Sequence, residues 1–309
     1  GGGGAYFLDT LAPADNFFTD ANGAPVTGIE SLGATPPPPA DVTTLANIST
    51  RLRVENGDNV LIGGFIVTGT QPKKVIVRAV GPSLAGAGLT GYLSDPTLEL
   101  HNGSGALIAS NDDWQTTQLG GVVTASQVAD IQNSLVAPTQ PAESAIVATL
   151  APGAYTAIVR GKNNATGVAL VESYDLDRDA DSQLGNISTR GLVQTGEDVM
   201  IGGVIILGQQ PGTVIIRALG PSLSGAGIAQ PLNDPMLELH DGNGALIASN
   251  DDWQDGSAGA AQIQLHAIAP TNERESALLA TAPPGAYTAI VRGKNNTTGV
   301  ALVEVYNVK

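Results

Sequence analysis

Two stretches of the sequence read GALIASNDDWQ without a single difference, one over residues 105–115 and the other over residues 244–254. Each sets two adjacent aspartates directly after an apolar stretch. Clustered carboxylates are ligands for hard cations, and Ca²⁺ takes about six to eight oxygen atoms. One interpretation is therefore a Ca²⁺ site in each stretch, completed by one further aspartate from the preceding DPxLEL motif or by a backbone carbonyl. The expected ligands are Asp95, Asp112 and Asp113 in the first site and Asp234, Asp251 and Asp252 in the second.

The same stretches also have a structural interpretation, which the repetition of the whole domain favours. Asn and Asp side chains commonly bond backbone amides where a strand ends in a turn. Trp114 and Trp253 follow at once and are expected to pack inward as anchors. In this interpretation the acidic residues belong to a turn that the fold requires.

A third acidic group lies in the segment YDLDRDADSQL, where aspartates occupy every second position. The spacing resembles the start of a calcium loop, but the loop lacks the glycine and glutamate that an EF-hand needs. Two alternatives remain: a solvated acidic linker, or a Ca²⁺ site that stiffens the connection between two domains. The aspartates are Asp175, Asp177, Asp179 and Asp181.

Catalytic patterns are weak, and the sequence predicts no enzyme. Ser83 lies in GPSL, which differs from the G-x-S-x-G nucleophile elbow. Adjacent aspartates do not supply two separated carboxylates of the kind that glycosidases use. Four arginines that occupy matching places in the repeated motifs are expected to be buried or half-buried ion-pair partners. These are Arg78, Arg217, Arg160 and Arg292.

The composition excludes several classes of partner. The formal net charge is -15, which disfavours nucleic acid and anionic membrane surfaces. No apolar run is long enough to span a bilayer. The absence of cysteine excludes a disulfide framework. Low charge, with much Gly, Thr and Asn, is typical of exported proteins, and the opening GGGGAYFLDT fits a chain whose signal peptide has been removed.

The chain contains a long internal repeat. NISTR recurs 139 residues later, and PGAYTAIVRGKNN recurs 132 residues later, so the first copy has seven additional residues after Gln115. We expect a loop there. The period is too long for a solenoid and indicates two similar domains. The predicted bounds are 1–44 for an N-terminal extension, 45–177 and 184–309 for the domains, and 178–183 for an acidic linker.

Each copy contains about eight short strand patterns separated by Gly, Pro, Asn and Asp. DPTLELH alternates, with Leu98 and Leu100 on one face. NVLIGGFIV is apolar on both faces and predicts a central strand, with a bulge or close backbone approach at Gly63 and Gly64. Only TASQVADIQNS has a helical pattern. The predicted fold is all-β: two tandem β-sandwich domains, jelly-roll or immunoglobulin-like, with an extended N-terminal tail.

The motifs NISTR, RAxGPSL, DPxLxL, NDDW and TGVALVExY together resemble a repeat of secreted bacterial proteins. The second half of each copy is similar to pre-peptidase C-terminal β-sandwich domains. The resemblance covers both copies but not the tail. It implies export, a sandwich fold and, in some such domains, bound calcium. It implies no catalytic residues.

Residues 1–44 have no repeat partner, yet they hold three of the four phenylalanines. AYFLDTL and APVTGIESL have strand patterns, and TPPPPA is a stiff polyproline spacer. We expect the tail to pack on its own domains or to add strands to a neighbouring copy. The residues expected to take part in assembly are Tyr6, Phe7, Leu8, Leu11, Phe17, Phe18, Val26 and Ile29.

Two functions follow from these patterns. The first is a structural subunit of an extracellular, pilus-like filament, a homopolymer built head to tail by strand addition, with no required cofactor. The second is a calcium-stabilised adhesin or carbohydrate-binding module that contacts glycans or the cell surface. Aromatic residues for sugar stacking are scarce, at 4% of the chain, which disfavours the second function.

Overall fold

A computed structural model describes residues 44–177 and 180–308. The first copy of the repeat forms eight antiparallel strands. Their bounds are β1 Thr44–Val54, β2 Leu61–Gly69, β3 Lys73–Val80, β4 Pro96–Asn102, β5 Leu107–Asn111, β6 Ser144–Leu150, β7 Gly153–Gly161 and β8 Gly167–Asp175.

The second copy repeats this order of strands. Its first strand begins inside the segment predicted as a linker. The bounds are β9 Ser182–Val193, β10 Met200–Leu207, β11 Gly212–Leu219, β12 Pro235–Asp241, β13 Leu246–Asn250, β14 Ser276–Ala282, β15 Gly285–Gly293 and β16 Gly299–Val308.

The strands form two antiparallel layers. One layer has the order β5-β4-β7-β2-β9-β16-β11-β14, and the other has the order β6-β3-β8-β1-β10-β15-β12-β13. A single pair, Leu45 with Leu184, links β1 to β9. Buried apolar side chains from both layers form one continuous core. The prediction of an all-β sandwich is therefore confirmed.

The two copies are joined edge to edge in both layers. β1 of the first copy pairs with β10 of the second, and β9 of the second pairs with β2 of the first. These two junctions are equivalent, since β1 matches β9 and β2 matches β10 in the repeat. Thr50 and its repeat partner Thr189 meet in the core, with hydroxyl oxygens 2.7 Å apart. The copies are thus related by an approximate two-fold axis.

The strand patterns explain which side chains reach the core. In β4, Leu98 and Leu100 are fully buried while the alternate residues are half-buried, as the sequence predicts. β2 is a central strand between β7 and β9. A Cβ atom at Gly64 would lie 2.5 Å from the Ser188 hydroxyl, so this glycine permits the close approach of β9.

Two helices cover the outer faces of the sandwich. Helix α1, Val128–Asn133, lies inside the stretch with the predicted helical pattern, and Ile131 packs beside Trp114. Helix α2, Ser257–Leu265, has no clear apolar periodicity and the sequence did not predict it. Its Ile263 packs beside Trp253. No helix in the described ranges is long and apolar enough to cross a membrane.

Candidate functional site

Two chain segments bring the three aspartates of the first cluster together. Asp95 immediately precedes β4, Asp112 and Asp113 follow β5, and β4 pairs directly with β5. The three aspartates each offer one carboxylate oxygen, and these oxygens lie within 4.8 Å of one another. The structure therefore places together the three residues that the sequence predicted as one site.

A lysine lies against the same carboxylates. Lys162 follows β7, and its Nζ atom is 2.8 Å from an oxygen of Asp112 and 3.4 Å from one of Asp95. The Lys162 backbone N–H also donates to the Asp95 carbonyl at 2.9 Å. Three carboxylates against one ammonium leave an excess of negative charge, so the lysine alone does not neutralise the cluster.

The second copy repeats the arrangement with Asp234, Asp251 and Asp252. Lys294 takes the place of Lys162, and its Nζ atom is 2.5 Å from Asp251 and 3.7 Å from Asp234. In both clusters the Oδ1 atoms of the first two aspartates are buried and have no hydrogen-bond partner among the described residues. Such oxygens fit a cation as readily as a hydrogen-bond donor.

Burial and neighbouring charges raise the pKa of one aspartate in each cluster. Burial is the main cause that raises the pKa of Asp95; Lys162 counteracts it, and Asp112 and Asp113 raise it further. Burial and then the charge of Asp251 raise the pKa of Asp252. A bound cation would relieve this repulsion, because an opposite charge favours the ionised carboxylate.

The asparagine and tryptophan of each NDDW run have structural roles. Asn111 Oδ1 accepts a hydrogen bond from the Ala145 N–H at the edge of β6, and its amide donates to the carbonyls of Asp113 and Thr116. Trp114 is 7% exposed and its indole N–H donates to the Gln140 carbonyl. The predicted tryptophan anchor is confirmed, and it occurs alongside the acidic cluster instead of excluding it.

The aspartates between the copies do not form a comparable cluster within the described ranges. Asp175 accepts a hydrogen bond at 2.9 Å from Lys73, a lysine that is 1% exposed and also donates to the Asp177 carbonyl. Asp181 accepts one from the Thr70 hydroxyl. Asp179 lies outside the described residues. The sequence did not decide whether a Ca²⁺ ion binds these aspartates. In the structure, the ammonium group of Lys73 supplies positive charge beside them.

The sequence did not identify Glu143, a buried glutamate that accepts hydrogen bonds from two loops. Glu143 is fully buried and accepts hydrogen bonds from the N–H groups of Gly81 and Ser83, from the Ser83 hydroxyl and from the Gln140 N–H. Glu275 repeats the contacts with Gly220 and Ser222. The available signal was a glutamate retained in both copies just before a strongly apolar strand.

Three of the four arginines are buried or half-buried ion-pair partners, as predicted. Arg78 pairs with Glu172 at 2.5 Å and lies over the ring of Tyr174, while Arg217 makes the same contacts with Glu304 and Tyr306. The prediction is wrong for Arg160, which is exposed and bonds the Gly57 carbonyl, because its position on β7 faces solvent.

Arg292, the repeat partner of Arg160, is half-buried and forms an ion pair, as predicted. Its side chain is 42% exposed, and its Nε lies 3.8 Å from a carboxylate oxygen of Glu238. The residues predicted for assembly, from Tyr6 to Ile29, all lie outside the described residues.

The sequence matches no family profile, and no curated protein matches it. Among solved structures, a DUF4785 family protein from Legionella pneumophila is similar over 86% of this chain and 83% of its own, with 9% identity and a TM-score of 0.23. PNGF-II is similar over 86% of this chain and 57% of its own, with 11% identity and a TM-score of 0.20. Neither likeness is close enough to transfer a function.

Proposed function

We propose that this chain is a structural subunit of an extracellular polymer, in which the N-terminal segment adds a strand to a neighbouring copy. The observation that supports the proposal best is the way the two repeats are joined. Both junctions, β1 with β10 and β2 with β9, are edge-to-edge strand pairings. Strand addition therefore already links the halves of one molecule. The same interaction between molecules would propagate, because a head-to-tail contact need not close.

The sheet edges at the ends of the molecule supply sites for such addition. β5 and β6 lie at the end formed by the first copy, and β13 and β14 lie at the other end. A strand at a sheet edge presents backbone N–H and C=O groups that another chain can pair with. The N-terminal residues, with their strand patterns and polyproline spacer, are suited to reach such an edge.

Removal of the N-terminal segment is expected to abolish assembly while the sandwich stays folded. The full-length chain should form elongated particles in negative-stain micrographs, and a chain that begins at Leu45 should sediment as a monomer. Circular dichroism and the melting temperature of the shortened chain provide the control for folding. A full-length chain that stays strictly monomeric at high concentration would rule out the polymer.

The aspartate clusters favour a second function, a calcium-stabilised surface module. Both clusters carry excess negative charge and buried oxygens that have no hydrogen-bond partner in the part of the chain that the structure describes. The groups present fit a hard cation that lies beside the lysine. Glycan binding by stacking has less support, because both tryptophans are buried, with exposed fractions of 7% and 6%.

Calcium is expected to raise the melting temperature. When the free calcium concentration is 100 times the Kd of a site, binding at that site stabilises the folded state by about 2.7 kcal/mol. The double variant Asp95→Asn with Asp234→Asn should lose the effect, whereas Asp58→Asn, an exposed aspartate on a turn, should keep it. Scanning calorimetry with calcium and with chelator measures the difference. Equal melting temperatures for the unsubstituted chain in both buffers would contradict a calcium site.

A further inference from the structure

Two strands of identical sequence lie at opposite ends of the molecule in different environments. β5 and β13 both read LIASN, and each is the last strand of its layer. Ile108 in β5 is partly buried against the core, whereas its partner Ile247 in β13 is 49% exposed. Because the two sequences are the same, the difference must come from what packs against each strand.

In the first copy the chain covers its own edge. The Val122 N–H donates to the Ile108 carbonyl at 2.8 Å, and Gly120 and Val123 exchange two backbone hydrogen bonds at 2.9 Å. Val123 is 3% exposed and belongs to the main core. Gly121 has φ +54, and a Cβ atom there would lie 2.0 Å from the Ile108 oxygen, so this backbone is pressed against β5.

The residues that make this cover are absent from the second copy. The stretch between Gln115 and the buried Ile131 is seven residues longer than the equivalent stretch between Gln254 and Ile263. The predicted insertion loop is therefore the cover of β5. In the second copy the chain passes almost directly into α2, and within residues 44–177 and 180–308 no backbone N–H from outside the strand ladders donates to the Ile247 carbonyl.

Exposed apolar side chains mark the open edge. Ile247 is 49% exposed, and Ala248, whose partner Ala109 is 5% exposed, is only partly buried. Leu246 does not distinguish the two edges, because it is 57% exposed and its partner Leu107 is 55% exposed. Proteins ordinarily protect such edges with charge, proline or a covering segment. The first copy shows which features of an occupant suit the site: a backbone N–H that donates to the outer carbonyl of the strand, and a small apolar side chain, that of Val123, that enters the core.

We propose that the open edge of β13 is the acceptor for the N-terminal segment, residues 1–43, of another copy of this chain. The inference rests on the proposed function and names the site at which assembly takes place. The segment contains the two predicted strands AYFLDTL and APVTGIESL, and both carry apolar side chains. It would supply between molecules the cover that Val122 and Val123 supply to β5 within one molecule.

The N-terminal segment is long enough to reach β13 of its own molecule as well as β13 of a neighbouring molecule. β1 is separated from β13 by four strand spacings, about 19 Å in all. A segment of this length spans on the order of 140 Å when extended. Assembly between molecules must therefore be separated experimentally from docking within one molecule.

Three full-length variants test the acceptor. Ile247→Lys places a charge on the edge, where the exposed side chain tolerates it. A loop graft, in which residues 116–130 replace residues 255–262, covers β13 with the first copy's own loop and adds no charge to the strand. Phe7→Asp with Ile29→Asp disables the donor segment. Leu265→Lys, 76% exposed on α2, is the control for charge.

Sedimentation velocity should show the unsubstituted chain, whose monomer is 31.2 kDa, and Leu265→Lys as polymers, and the other three variants as monomers. A mixture of the graft with the donor-disabled variant should give a one-to-one dimer that does not grow, because only one functional junction is present. That dimer is the result that a purely structural effect of the substitutions would not produce.

The contrary outcomes are distinguishable. If the graft and Ile247→Lys polymerise like the unsubstituted chain, β13 is not the acceptor, although the polymer itself stands. If the unsubstituted chain is monomeric, the proposed function fails. If it is monomeric and the donor-disabled variant shows faster hydrogen exchange at residues 247–249, the segment covers its own edge and the proposal of assembly between molecules is overturned.

Discussion

Replacement of Glu143 by alanine is expected to lower the free energy of unfolding by about 2–6 kcal/mol. The substitution leaves the N–H groups of Gly81 and Ser83 without their acceptor, and each buried unsatisfied group costs about 1–3 kcal/mol. The Ser83 hydroxyl and the Gln140 N–H also lose their partner. The loop of Gln140 holds the indole of Trp114, so the tryptophan anchor should loosen as well.

Urea unfolding followed by tryptophan fluorescence measures this loss. Glu275→Ala should behave alike, because Glu275 bonds Gly220 and Ser222 in the same way. Glu273→Ala is the matched control, since Glu273 is exposed two residues away and should change stability by less than about 0.5 kcal/mol. A loss below about 1 kcal/mol for Glu143→Ala would show that the loops hold their conformation without the carboxylate.

The sequence predicted the strands and the first aspartate cluster because both depend on local patterns. Alternation in DPTLELH identifies a half-buried strand wherever it lies. Asp95 and Asp112 come together because their strands are neighbours, which the short connection between β4 and β5 already favours. The repeat then supplied the second cluster without further evidence.

The edge-to-edge fusion of the copies was beyond the reach of the sequence. NISTR predicts strands in both copies, but nothing in it says that β1 pairs with β10 and β9 with β2. Pairings of this kind join residues far apart in the chain and depend on tertiary packing. Helix α2 was missed for a related reason: it is held by Ile263 packing on the sheet and has little apolar periodicity of its own.

A substitution that breaks the ion pair between Arg78 and Glu172 is also expected to lower the stability of the fold strongly. The Arg78 Nε donates to Glu172 at 2.5 Å, the Tyr174 hydroxyl donates to the same carboxylate at 2.8 Å, and Glu172 is 3% exposed. Removal of one partner of a buried ion pair leaves an uncompensated charge, at a cost of about 3–5 kcal/mol. Arg78→Met should therefore destabilise the chain by that amount.

A double-mutant cycle provides the control. Arg78→Met with Glu172→Leu removes both charges and should recover most of the loss, since a buried pair replaced by apolar groups is often near neutral in stability. The pair Arg217 and Glu304 permits the same cycle in the second copy. If the double variant is no more stable than Arg78→Met alone, the cost arises from lost packing against Tyr174 and not from the unpaired carboxylate.

The tyrosines beside these two ion pairs contribute to the dependence of stability on alkaline pH. Burial, and then the negative charge of Glu172, raises the pKa of Tyr174 well above its ordinary value, and burial and Glu304 raise that of Tyr306. An unfolded tyrosine titrates near pH ~10. Below that pH both states are protonated and the contribution to stability is complete; above it the unfolded chain releases protons that the folded chain retains, so stability falls as pH rises. Tyr174→Phe with Tyr306→Phe should flatten this decline in urea unfolding between pH ~9 and ~11, because the substituted rings keep their packing on the arginines and have no proton to release.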